Sequence, residues 1–411
     1  MESPVPPEPR QAAFIFIFIT VVLDLIAVGI VAPVLPKLVT GFEGGNIASA
    51  ALWTGLLATL WAAMQFIAAP IMGALSDHFG RRPVILASNL GLGLDYVLMA
   101  LAPSLGWLLV GRMLSGITSA SYPTAAAYIA DVTPADKRAG RYGMLGAAFG
   151  LGFIIGPAAG GLLGNIDLRL PFWVAAGLSL ANALYGLFIL PESLPPALRR
   201  PFSLRRANVV GSIRLLRSHP QLGGLALVLF VMALAHEALP NLFVLYTDQR
   251  YGWSAATVGL ALSAIGVGSS IVSMSLVRPV TRHLGESRTA LIGLSLGVAA
   301  YLVFGLAPTG SVFLAGIALV ALYGIAGPAI QSLMSQRADP TVQGHLQGAI
   351  GSLRAITGMI GPLLFTQLFS GVVSRGGHGL WLGAPYMLAA LLLAAGLLLA
   401  LRVLPVADQQ H

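Results

Sequence analysis

Six ionisable side chains interrupt stretches of this sequence that are otherwise continuously apolar. They are Asp24, Asp95, Arg112, His236, Glu237 and Arg354. An ionisable group inside a long apolar segment costs free energy and usually serves a function. A carboxyl group in such a desolvated place can take up and release a proton near neutral pH. The pattern therefore indicates proton transfer as the first chemistry to consider, and it raises the question of which elements position these groups.

The composition places those elements in a lipid bilayer. Of the 411 residues, 56% are hydrophobic and only 9% are charged, whereas a soluble domain carries roughly 25% charged residues. The chain has no cysteine, which excludes disulfides, thiolate metal sites and cysteine nucleophiles. The formal charge of +8 comes from basic residues in short loops, so it does not indicate nucleic-acid binding.

The apolar runs are long enough to be membrane-spanning helices, which need about 20 apolar residues each. They are continuously apolar rather than alternating, which favours helices over a β-barrel. Twelve spans are predicted, at 12–34, 52–74, 84–103, 107–129, 142–163, 171–191, 222–246, 255–277, 289–308, 311–334, 346–371 and 382–404. The first run has no signal-peptide cleavage pattern, and we interpret it as a retained helix.

The basic residues of the loops predict the orientation of these spans. With both termini on the cytoplasmic side, only Lys37, Arg169, Arg250 and Arg375 among the loop arginines and lysines fall outside. This asymmetry follows the positive-inside rule. It predicts cytoplasmic termini and supports an even number of spans.

Two halves of the chain resemble each other at a nearly constant offset. Val34-Leu35-Pro36 matches Ala238-Leu239-Pro240, and Gly156-Pro157 matches Gly361-Pro362. The longest polar connection lies at 192–221. We therefore predict a six-helix bundle at 1–191, a basic cytoplasmic linker at 192–221, and a second six-helix bundle at 222–411. Parallel repeats of this kind are related by an axis along the membrane normal, and they bind a substrate between the halves.

The loop between spans 2 and 3 resembles the signature loop of the major facilitator superfamily. Its matching residues are Gly73, Asp77, Gly80, Arg81 and Arg82. The resemblance implies a conformational latch, which holds the cytoplasmic ends of the two halves together when the site faces outward. The alternative is a solvated basic loop that only sets the topology.

Span 5 resembles the antiporter motif of drug exporters in the same superfamily. The motif residues are Gly152, Gly156, Pro157, Gly160 and Gly161. Glycines at helical spacing let helix backbones approach closely, and close packing alone is the alternative explanation. With the signature loop alongside, we favour the antiporter interpretation.

The resemblance is closer to the twelve-helix tetracycline/proton antiporters, and it covers nearly the whole chain. The matching stretches are 23–24, 29–30 and 33–36 in span 1, 94–96 in span 3, 111–118 in span 4, and 347–348 and 357–365 in span 11. Those antiporters carry an acidic residue in span 9, and this chain has none there. His236-Glu237 in span 7 and Arg354 in span 11 are further departures, so the transported compound stays open.

The resemblance implies roles for the ionisable residues, because spans 1 and 4 line the central cavity in this family. Asp24 is predicted to couple proton transfer, with Arg112 pairing with its deprotonated form. Asp95 is expected to tune that pair or to contact substrate, and Glu237 is a second proton candidate. The alternative for Asp24 and Asp95 is a buried structural ion pair or a hydrogen bond between helices.

A second group of residues is predicted to contact the substrate. This group comprises Gln65, Tyr96, His236, Glu237, Gln331 and Arg354. Arg354 is expected either to pair with Glu237 or to attract an anionic substrate. His236 and Glu237 are adjacent, so their side chains point about 100° apart on a helix and cannot both face one ligand squarely.

Together these features predict an all-α membrane transporter that exports a small lipophilic compound, tetracycline-like or another drug, in exchange for protons. The alternative is a proton-coupled importer or exporter of an endogenous metabolite. The sequence has no Walker loop, dinucleotide fingerprint or HExxH motif, so we do not expect an enzyme. We expect no cofactor or metal, the proton gradient as energy source, membrane lipid as surroundings, and a functional monomer in the inner membrane of a bacterium.

Overall fold

The chain is helical throughout the part that this computed structural model describes, which comprises residues 11–119, 121–202, 220–339 and 343–404. No strand occurs within those ranges. The all-α prediction is therefore confirmed. Most of the predicted linker at 192–221, and both chain ends, lie outside the described residues.

The helices of the first half form spans 1 to 6 as follows: span 1, Gln11–Val31 and Leu35–Phe42; span 2, Ile47–Phe79; span 3, Arg81–Leu101; span 4, Leu105–Thr118 and Ser121–Val132; span 5, Arg138–Ile166; span 6, Leu170–Ile189. Those of the second half form spans 7 to 12: span 7, Pro220–His236 and Ala238–Tyr251; span 8, Ala255–Ile271 with a π-helical turn at Val272–Leu276; span 9, the later part of Val277–Leu306; span 10, Gly310–Tyr323 and Ala326–Arg337; span 11, Gln343–Ser374; span 12, Ala384–Val403.

Ten helical segments of the described residues are long and apolar enough to cross a membrane. One of them, Ala255–Leu306, has 52 residues and would extend about 78 Å at 1.5 Å per residue, far more than one bilayer core. It turns at Gly285, whose φ of 76° and ψ of 161° are not helical, so it crosses twice. The two helices of span 4 supply the remaining crossing. The count of twelve is confirmed.

Several spans extend beyond their predicted bounds. Span 2 was predicted at 52–74, but the helix begins at Ile47, where the Asn46 side chain accepts a hydrogen bond from Ser49 N at 3.1 Å. It ends at Phe79, before Gly80. Hydropathy detects only the apolar part of a helix, whereas caps and glycines determine where the helix ends.

Four spans are interrupted at equivalent places in the two halves, whereas the sequence predicts continuous helices there. Spans 1, 4, 7 and 10 each consist of two helices. In three of them a proline stands at the third position of the second helix: Pro123, Pro240 and Pro328. A proline provides no N–H to the preceding turn, so it is tolerated at the start of a helix and not inside one.

The same pairs of spans pack together in each half. Spans 1 and 5, 1 and 6, 2 and 4, 3 and 4, and 3 and 6 are in contact in the first half. Spans 7 and 11, 7 and 12, 8 and 10, 9 and 10, and 9 and 12 repeat this pattern in the second half. The halves meet through spans 2 and 11 and through spans 5 and 8. This repetition supports two pseudo-symmetric bundles, and the exact domain boundaries stay predictions.

Candidate functional site

Asp24 lies buried where spans 1 and 6 pack together. The Asn182 side-chain amide donates to Asp24 Oδ1 at 2.9 Å, and to the carbonyl oxygen of Thr20, one turn earlier, also at 2.9 Å. Asp24 is only 8% exposed and Asn182 is fully buried. The polar contact between helices that the sequence raises as an alternative for Asp24 is therefore present, and it fixes the carboxyl group near the middle of span 1.

Asp95 is the most deeply buried carboxyl group of the candidate site. Its exposure is 0%, and the Ser115 hydroxyl of span 4 is a polar neighbour of the carboxyl group, although neither carboxyl oxygen has a hydrogen bond of good geometry among the described residues. Its electrostatic partner is Arg112 of span 4. Gly111 leaves the space for this approach, since a methyl group there would lie 2.9 Å from Asp95 Oδ1.

The guanidinium of Arg112 is held between that carboxyl group and an aromatic ring. Its Cζ lies 5.9 Å from the ring centroid of Trp61 of span 2, within the range of a cation–π contact. Its Nε has no hydrogen-bond partner in the described part of the chain. Arg112 thus interacts with Asp95 in this conformation, and its predicted pairing with Asp24 stays a prediction.

Tyr96 is the residue that connects these groups. It is buried and lies within electrostatic range of Asp24, Asp95 and Arg112. The structure therefore brings together four of the residues that the sequence singles out, all of them in the first half.

Glu237 forms a separate centre in the second half, where span 7 is interrupted. The Asn241 amide donates to Glu237 Oε2 at 3.1 Å and to the Glu237 carbonyl oxygen at 2.8 Å. The stem of Glu237 packs on Gly361 of span 11, where an added methyl group would lie 2.5 Å from its Cγ. A side chain at position 361 would displace Glu237, so this glycine keeps the carboxyl group in place.

His236, which precedes Glu237, and Arg354, its predicted partner, both have exposed side chains. His236 lies within electrostatic range of Arg354. No ion pair joins Arg354 to Glu237 among the described residues. Both roles predicted for Arg354 therefore stay predictions.

Gln65 and Gln331 are half-buried, in spans 2 and 10 respectively. No hydrogen bond joins either amide to another residue in the described ranges. Their predicted contact with substrate stays a prediction.

The signature loop is held inside the first half. Arg81 donates to Asp77 Oδ1, to Ser76 Oγ at 2.7 Å, and to Asp131 Oδ2 of span 4 at 3.1 Å. Glu192 accepts hydrogen bonds from the backbone N–H of Arg81 at 2.9 Å and of Arg82 at 3.3 Å. This carboxylate therefore caps span 3.

Gly80 makes that cap sterically possible. Its φ of 108° lies in the region that favours glycine, and a methyl group there would lie 2.8 Å from Glu192 Cδ. The first motif glycine, Gly73, has open space around it in this conformation. The loop makes no hydrogen bond to the second half within the described residues, and its latch role stays a prediction.

Sequence patterns do not single out Asp131 or Glu192. Each is a carboxylate among basic loop residues, directly after an apolar span. This position at the end of a span is the signal that the sequence offers for a structural role. A carboxylate there is close to the arginines of the neighbouring loop and can bind them.

The span 5 glycines form two contact surfaces. Gly156 and Gly160 face span 1, where added methyl groups would lie 2.6 Å from Gly29 Cα and 2.7 Å from the carbonyl carbon of Ile30, respectively.

Gly161 faces span 8, where a methyl group would lie 2.8 Å from Gly259 Cα. Gly152 packs on Leu25, and the Pro157 carbonyl lies against Gly259. The motif therefore joins span 5 both to its own half and to the other.

The two halves are joined most firmly at one end of the molecule. Lys37 Nζ, at the end of span 1, donates to Asp248 Oδ1 of span 7 at 2.9 Å and to the Trp253 carbonyl at 2.7 Å. Near mid-membrane, Thr59 donates to the Met359 carbonyl at 3.0 Å and Ser263 to the Ile154 carbonyl at 2.6 Å. The hydrogen bonds between the halves in the described ranges thus lie at the Lys37 end or near the middle. The conformation is closed at the Lys37 end.

Comparisons with known proteins agree with this arrangement. The sequence model of the Major Facilitator Superfamily matches residues 17–362. The chain is 39% identical over 380 residues to the class C tetracycline resistance protein of Escherichia coli, covering 92% of this chain and 94% of that protein. It is 36% identical to the class H protein of Pasteurella multocida, covering 93% and 95%.

Among solved structures, the human organic anion transporter MFSD10 (TETRAN) superposes with a TM-score of 0.69 at 25% identity, covering 96% of this chain and 100% of that one. The fold, the repeat and these relatives agree, and they make the chain a multi-pass membrane transporter rather than an enzyme. The chain belongs to the Major Facilitator Superfamily and, within it, to the family of the tetracycline resistance proteins.

Proposed function

We propose that this chain exports a small lipophilic compound of the tetracycline class across the bacterial cytoplasmic membrane, in exchange for protons. The substrate class is supported by the relatives named as tetracycline resistance proteins, which match nearly the full chain. Proton coupling is supported chiefly by one observation. The Asp95 carboxyl group is fully buried, and it has the Arg112 guanidinium and the Ser115 hydroxyl as its polar neighbours.

The geometry suggests how a proton exchanges with a substrate. A deprotonated Asp95 attracts Arg112, and protonation removes that attraction, so the guanidinium is released toward Trp61. Since Trp61 and Arg112 lie on spans 2 and 4, the proton state of Asp95 changes the surface that these two spans present. Asp24 lies on neighbouring span 1 and is held by Asn182, which makes it the second group of the same relay.

The second half supplies contacts for the substrate. Glu237, oriented by Asn241, presents a carboxylate that favours a cationic group, whereas the exposed Arg354 favours an anionic one. A compound that carries both charges on an apolar body fits this pair. With both termini cytoplasmic, the closed Lys37 end faces outward, so the conformation described is open to the cytoplasm. We expect a monomer, with no cofactor, to be sufficient.

Proton movement in everted membrane vesicles tests this function. The vesicle interior is acidified, lipophilic drugs including a tetracycline are added, and interior pH is followed. A drug-dependent loss of the gradient is expected for the wild type and for Asp167→Asn, which changes an exposed loop carboxylate. Asp24→Asn and Asp95→Asn are expected to abolish the loss, because neither amide can carry the proton.

The outcomes separate the alternatives. If Glu237→Gln alone abolishes the response while both aspartate variants keep it, the coupling carboxylate lies in the second half. If inserted wild-type protein gives no response to any drug, the proposal of proton-coupled drug export is wrong, and either an endogenous metabolite is exported or transport is not coupled to protons.

A further inference from the structure

The loop between spans 8 and 9 is the structural repeat of the signature loop, with its charges inverted. Gly80 and Gly285 occupy equivalent places, and both have positive φ, of 108° and 76°. In this register Asp77 corresponds to Arg282, and Arg81 corresponds to Glu286. The second half therefore keeps the backbone turn of the first while exchanging an acidic for a basic residue, and a basic for an acidic one.

The inversion changes which groups are neutralised within the protein. In the first half, Arg81 is bound by the carboxylates of Asp77 and Asp131. In the second half, Glu286 accepts hydrogen bonds from neutral groups of span 10, Gln336 Nε2 at 3.0 Å and Ser332 Oγ at 3.4 Å. No carboxylate of the described residues forms an ion pair with Arg278 or Arg282. Both arginines are exposed, and their charge is not compensated by those residues.

These two arginines line a cavity between the end of span 8 and span 10. Its volume is about 460 Å³, and its polar lining consists of Arg278, Thr281, Arg282, Glu286 and Ser332. Two guanidinium groups and the Thr281 hydroxyl supply many more donors than Glu286 can satisfy. The planar donor pattern of arginine matches phosphate oxygens in pairs. The lining therefore suits a phosphate-bearing anion.

The surroundings of the cavity suit a lipid rather than a free ion. Ile271 and Met274, one to two turns before Arg278, are 57% and 83% exposed. Exposed apolar side chains on a membrane-spanning helix can contact acyl chains, while the arginines at its end reach the headgroup level. Basic pockets between membrane helices on the cytoplasmic side bind anionic headgroups, and the positive-inside pattern predicts this end to be cytoplasmic.

We propose that the cavity formed by Arg278, Arg282 and Ser332 binds the phosphate of an anionic phospholipid, whose acyl chains lie along Ile271 and Met274. Thr281 donates a hydrogen bond to a remaining phosphate oxygen. The Ser332 hydroxyl stays bound to Glu286, whose carboxylate also accepts a hydrogen bond from Gln336 Nε2. None of the residues that line this cavity belongs to the group predicted to contact the transported compound.

Native mass spectrometry of the purified full-length chain tests the site. Delipidated protein is mixed with phosphatidylglycerol or with zwitterionic phosphatidylcholine, and the bound lipid is counted. The wild type is expected to retain phosphatidylglycerol preferentially. Arg278→Gln with Arg282→Gln is expected to lower that retention by about tenfold or more, since two charge-assisted contacts are lost.

The matched control is Arg288→Gln, which removes an exposed arginine of the same loop that does not line the cavity. It is expected to retain lipid like the wild type. Arg278→Lys with Arg282→Lys keeps the charge without the paired donors, and intermediate retention is expected. Thermal unfolding in neutral detergent shows whether each variant is folded.

Two results would overturn the proposal. Equal retention of phosphatidylglycerol by the wild type and a folded double glutamine variant would exclude the arginines as its site. Displacement of the lipid by inorganic phosphate alone, with no dependence on acyl chains, would identify a soluble anion as the occupant.

Discussion

Asp95 and Arg112 illustrate how a buried charge is tolerated when its partner stands on a neighbouring helix. The carboxyl group is fully buried, so its stabilisation depends on the nearby Arg112 guanidinium and Ser115 hydroxyl, and on the space left by Gly111. Breaking one partner of a buried pair is costly, because the other charge is then left uncompensated.

A double-mutant cycle measures this dependence. Asp95→Asn and Arg112→Gln are each expected to lower the free energy of unfolding, and the double variant is expected to recover part of the loss. The coupling between the two sites should be about 1–3 kcal/mol, measured by thermal or denaturant unfolding in detergent. Strictly additive losses would show that the pair contributes no stabilisation and that Arg112 serves another carboxylate.

The carboxylate that Arg112 meets could not be predicted from the sequence. Intramembrane charges are rare, so Asp24, Asp95 and Arg112 stand out against apolar surroundings, and the structure does bring them together with Tyr96. Which carboxyl group faces the arginine depends on the rotation of each helix about its axis. Hydropathy does not determine that rotation, and the role of Asn182 in holding Asp24 is missed for the same reason.

At the scale of the elements, span 5 contains its own controls. A methyl group at Gly156 or Gly161 would meet backbone atoms at 2.6 to 2.8 Å, whereas one at Gly146 would meet nothing within 4 Å. All three residues lie on the same helix, so substitution by alanine changes helix propensity equally. Differences among the three variants therefore report helix packing alone.

We expect Gly156→Ala to destabilise the first half and Gly161→Ala to impair transport by separating spans 5 and 8. Gly146→Ala should keep transport and stabilise the helix by up to about 1 kcal/mol. Drug efflux and thermal unfolding are the two measurements. Full transport by Gly161→Ala would show that spans 5 and 8 need not touch during the cycle.

The turn before span 3 allows a second test at this scale. Gly80→Ala places a methyl group 2.8 Å from Glu192 Cδ and forces alanine into an extended conformation with positive φ, at a cost of about 1–3 kcal/mol for the conformation alone. Lower thermal stability is expected, with a larger loss than for Gly73→Ala, whose surroundings are open. Equal losses of thermal stability in Gly80→Ala and Gly73→Ala would mean that the cap formed by Glu192 contributes little to stability.

Element boundaries were predicted less well than element number. Twelve apolar runs identify twelve crossings because burying unpaired backbone groups in lipid is prohibitive. The interruptions in spans 1, 4, 7 and 10 leave the apolar runs intact, so hydropathy does not reveal them. Pro123, Pro240 and Pro328 do mark three of these breaks, and their equivalent places in the two halves are a usable signal.

At the scale of the whole molecule, the Lys37–Asp248 ion pair connects the two halves at the closed end. Among the described residues, the other ion pairs do not join the two halves, and this one does. Both side chains are partly exposed, so the pair is expected to contribute about 0.2–1 kcal/mol. That is enough to shift a balance between two conformations whose free energies are close.

Asp248→Asn is expected to open this end more often, and the charge exchange Lys37→Asp with Asp248→Lys to restore closure. The chain has no cysteine, so Thr366→Cys introduces a single reporter at the contact of Thr366 with Gly55. The rate at which this cysteine reacts with a membrane-impermeant thiol reagent should rise in the Asp248→Asn variant. It should return to the rate of the unmodified ion pair in the charge-exchanged variant. Unchanged rates in every variant would remove this pair from the conformational balance.

The backbone contact between Gly161 and Gly259 has a consequence for how this protein can evolve. Where two side chains meet across an interface, enlargement of one can be compensated by trimming the other. Here neither residue has a side chain to trim, and the atoms in contact are Cα and backbone atoms. A larger residue at either position therefore cannot be compensated by a smaller residue at the other. A lineage that keeps spans 5 and 8 at this separation is therefore expected to keep both glycines together.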